Sequence, residues 1–106
     1  MKKIVNGKIY DTEKATLIGE SSSSDAYRGD FRYWEAGLYI TPRSKSFFLA
    51  GESGPQTRFA QSAGQNSWTG GKDLIPMTRE QALEWAEANL EPAIVEHYFA
   101  DLLEEA

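Results

Sequence analysis

Apolar residues bracket an Asn-Gly pair near the start of the chain, with Lys3-Ile4-Val5 before it and Lys8-Ile9-Tyr10 after it. Asn6-Gly7 supplies the two positive φ values of a type I′ turn, which predicts an opening β-hairpin in which Ile4 faces Ile9. Thr16-Leu17-Ile18 offers a further short strand, and the serines at 21–24 break it with a loop. Over residues 31–52 aromatic and β-branched side chains alternate with small and polar ones: Phe31, Tyr33, Trp34, Leu38, Tyr39 and Ile40, then Phe47, Phe48 and Leu49. That alternation predicts a β-meander, turned by Pro42-Arg43-Ser44-Lys45, with residues 38–41 pairing with 46–49.

The pattern then changes. Residues 51–72 are polar and punctuated by Gly51, Gly54, Pro55, Gly64, Gly70 and Gly71, which reads as a long loop able to hold one helical turn over 57–63. After Leu74-Ile75-Pro76, Thr78 and Gln81 stand at capping-box spacing, and Ala82, Leu83, Trp85, Ala86 and Leu90 form an apolar stripe. A helix over about 79–89 follows. Pro92 suits the first turn of a second helix, along which Ile94, Val95, Tyr98, Phe99, Leu102 and Leu103 recur at threes and fours. The expected fold is α+β: a small antiparallel sheet, made of the N-terminal hairpin plus the meander, packed by two C-terminal helices. One domain is expected over 1–106, with a β-rich part at 1–52, a glycine-rich loop at 53–73 and an acidic helical part at 74–106.

With 106 residues, 41% of them apolar and 12% aromatic, the chain is long enough for one modest core, as a monomer or a small oligomer. Its lack of cysteine excludes disulfides, thiolate metal sites and a cysteine nucleophile. No apolar run approaches the roughly 18 residues of a membrane span, and the basic start lacks an apolar signal segment. A soluble protein of a bacterial cytoplasm is the expectation.

Charge is distributed unevenly. Residues 79–106 hold eight carboxylates and one base, Arg79, leaving −7, whereas residues 1–78 hold ten bases and eight acids, leaving +2 of the total −5. Glu80, Glu84, Glu87 and Glu91 stand at i, i+4, i+7 and i+11, so a helix running through all four would carry them on the face opposite its core. Each adjacent like-charge pair costs a helix about 0.2–0.5 kcal/mol, with no lysine four residues on to offset it. Glu104 and Glu105 fall at the expected negative end of the second helix, which favours bases. The stripe suits docking onto a basic groove of a nucleic-acid-binding protein, with carboxylates in the place of phosphates. The competing reading is a solvated face that keeps a small acidic protein soluble. Direct nucleic-acid binding is disfavoured by the net charge, although residues 1–78 are mildly basic.

Signatures of catalysis are thin. His97 and Asp101 lie four apart, but two ligands do not make a metal site and there is no second histidine. Gly51-Glu52-Ser53-Gly54 falls one residue short of a nucleophile elbow, and Gly71-Lys72-Asp73 lacks the first glycine and the hydroxyl of a P-loop. Glu35 and Glu52 are candidate paired carboxylates whose spacing is not read from sequence. Trp34 and the meander aromatics are expected in the core, while Trp68, among glycines, is placed to anchor a partner.

Asn6-Gly7-Lys8-Ile9-Tyr10-Asp11-Thr12-Glu13, Asp30-Phe31 with Tyr33 and Glu35, Leu38-Tyr39 with Thr41, Phe48-Leu49 before Gly51-Glu52 and Gly54-Pro55, Phe59-Ala60, Asn66, Gly70-Gly71 and Ala82 with Trp85-Ala86-Glu87 form a pattern across most of the chain. It resembles a family of small proteins of phages, plasmids and other mobile elements, some of which act as anti-CRISPR proteins. These motifs mark a fold and name no reaction. The resemblance implies a non-enzymatic inhibitor that binds a CRISPR–Cas effector and blocks DNA recognition; the residues themselves lead to the expectation of no cofactor and no metal. The segment with the serines at 21–24 and Tyr27-Arg28 departs from the pattern, which leaves the target open.

Two functions are therefore carried forward. The first is an acidic interaction protein whose partner-binding residues are Glu80, Glu84, Glu87 and Glu91, with Asp101 and Glu104 behind them. The second is a small-ligand or enzymatic module in which Arg58, Asn66 and Trp68 of the 51–71 loop converge over the sheet.

Overall fold

The computed structural model describes residues 1–22, 34–53 and 71–106. Strands β1 (Lys2–Val5) and β2 (Lys8–Asp11) form the predicted hairpin, with Ile4 opposite Ile9. Asn6 and Gly7 have φ of 51° and 78°, the left-handed pair that a two-residue turn with this twist requires. Four further strands, β3 (Thr16–Ser22), β4 (Trp34–Ile40), β5 (Phe47–Ser53) and β6 (Gly71–Met77), run antiparallel in sequence order. Helix α1 (Arg79–Asn89) and helix α2 (Pro92–Phe99) follow, the latter continuing into a 3₁₀ turn over Ala100–Leu102.

The α+β class is as expected, but the described residues form two sheets rather than one. The hairpin does not extend the meander; it lies against one face of it. Tyr10 packs edge-on against Phe48, with ring centroids 5.5 Å apart, and Val5 joins the same cluster. Lys3 Nζ donates to Asp73 Oδ1 at 3.1 Å and to the Leu74 carbonyl at 3.3 Å, fastening β1 to β6. Alternation along the hairpin sends Val5 and Tyr10 inward, leaving Ile4 and Ile9 66% and 62% exposed.

The β4–β5 ladder has the predicted register, Leu38 with Leu49 and Ile40 with Phe47, and continues to Trp34 with Ser53. Thr41 closes the connection: its amide donates to the Ser46 carbonyl, and its hydroxyl accepts from the Ser46 amide, both at 2.9 Å. Period-2 alternation splits β5 between two cores. Phe47 and Leu49 face the helices, while Phe48 and Ala50 face the hairpin.

Several boundaries differ from the sequence reading. β3 runs through Ser21 and Ser22, which pair with Ala36 and Glu35, because ladder pairing outweighs serine's weak strand preference. Gly71–Met77, read as loop and helix approach, is an edge strand, where the missing N–H of Pro76 is tolerated. The helical turn expected over 57–63 lies outside the described residues.

Helix α1 begins as predicted. Thr78 Oγ1 accepts from the Gln81 amide at 3.1 Å and Gln81 Oε1 accepts from the Thr78 amide at 2.9 Å, satisfying two backbone donors of the helix start. Ala82 and Ala86 are fully buried, and their small side chains let the helix sit close on the sheet. Helix α2 starts with Pro92 and buries Val95 and Phe99, the latter stacked on Phe47 at 5.2 Å. It ends there, so Leu102 and Leu103 are not part of it.

Candidate functional site

Glu80, Glu84 and Glu87 are exposed on the outer side of α1, with Ala82 and Ala86 turned to the core. Four residues and then three separate them, about 6 and 4.5 Å of rise. That spacing is somewhat sparser than the roughly 3.4 Å per phosphate of one nucleic-acid strand. Among the described residues no ion pair reaches Glu84 or Glu87. The last turn of α1 contains no base.

The stripe holds three carboxylates, because α1 ends at Asn89, where the sequence reading places its end. Leu90 is extended, with φ −117° and ψ 163°, so α1 stops before Glu91, which becomes the exposed residue preceding α2. Glu104 lies in the tail after the 3₁₀ turn, not on a helix, which removes the expected clash with a helix dipole. Asp101 is engaged within the chain: its carboxylate accepts from Arg79 Nη2. That hydrogen bond holds the Asp101 carboxyl below its usual range and raises the Arg79 guanidinium. The His97 and Asp101 side chains therefore do not act together. His97 is exposed with its ring edge-on to Tyr98 at 4.7 Å, and Asp101 turns to Arg79.

A second feature occupies the sheet face opposite the helices. Beyond the area covered by the hairpin, a cleft of about 480 Å³ is bordered by Glu20, Ser22, Glu35 and Tyr39, over a floor of small residues that includes Gly37 and Ala50. Glu35 also borders an adjoining hollow of about 250 Å³ with Glu52 and Lys72. Ser22, Glu35, Glu52 and Lys72 form one row across the four strands, with Glu35 directly opposite Glu52. Burial raises the Tyr39 hydroxyl pKa, and the Glu20 carboxylate raises it further. Tyr39 therefore remains a neutral hydrogen-bonding group at neutral pH, with its ring stacked on Phe48 at 5.1 Å. At Gly51 the two strands approach closely: a Cβ there would come within 2.0 Å of the Glu35 carbonyl oxygen.

Sequence reasoning named Glu35 and Glu52 without placing them. The signal was available, since the ladder that sets Leu38 opposite Leu49 reaches Glu35 and Glu52 when extended by three residues. Glu20 and Tyr39 are not site residues in the sequence reading, because the strand it offers at Thr16-Leu17-Ile18 stops short of Glu20 and it assigns the meander aromatics to the core. Arg58, Asn66 and Trp68, the residues of the loop reading, lie outside the described residues.

Among the described residues, no group of three or more His, Asp or Glu side chains is arranged to hold a metal ion, and no helix is long and apolar enough to cross a membrane. Comparison with protein families, curated proteins and solved structures finds no match.

Proposed function

We propose that the protein is an acidic interaction module that presents the outer face of α1 to a basic, nucleic-acid-binding surface on another protein. The observation that supports this is the array of Glu80, Glu84 and Glu87, exposed on one helix face without a neighbouring base in the last turn. Clustered like charges weaken a helix slightly, and against a positive surface they steer association and fix orientation. Glu91, just beyond the helix, extends the charged edge. The sequence resemblance supplies the partner class, a CRISPR–Cas effector from whose DNA-binding surface this helix excludes DNA. Pull-down against purified effector complexes at low and moderate salt tests the proposal. Retention that falls with salt and is lost in Glu84→Lys/Glu87→Lys supports it; undiminished retention by that folded variant refutes the helix-face assignment.

The cleft over the sheet favours a second reading, a site for a small cationic ligand beside Glu20 and the Tyr39 hydroxyl. A thermal-shift screen with polyamines and guanidinium compounds tests it. A raised melting temperature that disappears in Glu20→Gln and Tyr39→Phe supports ligand binding there, and a shift retained in both variants places the ligand elsewhere.

A further inference from the structure

We draw no further inference here: the strongest candidate, the cleft on the open face of the four-stranded sheet with Glu20, Glu35 and Tyr39 in its wall, belongs to the site already described and is an acidic cluster for which no second observation in the structure identifies a ligand.

Discussion

Arg79, the first residue of α1, donates a hydrogen bond from Nη2 to Oδ1 of Asp101, in the 3₁₀ turn that follows α2. The contact joins the start of the helical layer to its end, 22 residues later. It also withdraws Asp101 from the carboxylates available to a partner. The side chains remain 39% and 64% exposed, so water and salt screen the pair and its contribution to stability at neutral pH is small.

The pair has a defined pH dependence. Its hydrogen bond to Arg79 lowers the Asp101 pKa from the ordinary 3.8. A depressed folded-state value means that the contribution is present above the ordinary carboxylate value and is lost as pH falls through the folded one, in the acid range below 3.8. Carboxyl chemical-shift titration is expected to give an Asp101 midpoint below 3.8, returning toward it in Arg79→Gln. The same midpoint in both proteins would exclude the contact in solution.

Gly51 and Gly7 are required for different reasons, which equilibrium unfolding in urea separates. At Gly51 a Cβ meets the β4 backbone, 2.0 Å from the Glu35 oxygen and 2.7 Å from the Ala36 Cα, and neither atom moves without parting the strands. Gly51→Ala is expected to cost about 1–3 kcal/mol or more, a large share of the roughly 5–15 kcal/mol of a typical domain. At Gly7 a Cβ meets nothing within 4 Å, and only φ of 78° opposes it. Gly7→Ala is expected to cost about 1–2 kcal/mol from backbone strain, and Gly7→Asn less. Equal losses at the two sites would contradict the close approach of β4 and β5.

Reversing charges on α1 should separate binding from stability. Glu80 lies in the first turn, where a carboxylate faces the positive end of the helix dipole, and Glu87 lies near the negative end. Glu87→Lys is expected to raise stability by about 0.3–1 kcal/mol and Glu80→Lys to lower it by a similar amount. Both changes reduce the negative charge offered to a partner. Weaker partner binding by the stabilised Glu87→Lys protein would therefore report the surface and not unfolding. A fall in melting temperature for Glu87→Lys would overturn the placement of that residue at the helix end.

The local devices were legible wherever one short stretch of sequence carries its own physics. Asn6-Gly7 sets the hairpin turn and register, Thr78 with Gln81 sets the start of α1, and Pro92 sets the start of α2. The buried positions of α1, Ala82 and Ala86, follow from its helical period. Elements without such a signal were misread. Gly71–Met77 contains two residue types that disfavour strands, glycine and proline, and becomes β6 only because β5 offers it a ladder from Phe47 to Ser53. Ser21 and Ser22 extend β3 for the same reason.

The candidate sites divide in the same way. The sequence by itself determined the acidic helix face, because a period of 3.6 residues sets Glu80, Glu84 and Glu87 opposite Ala82 and Ala86 whatever the rest of the chain does. Only the tertiary structure decided that Asp101 is taken by Arg79 and that a cleft lies beside the Glu35–Glu52 pair. Helix-face geometry is set by bonds spanning four residues, whereas strand pairing and inter-helix ion pairs depend on which distant segments pack together, an outcome of burial over the whole chain.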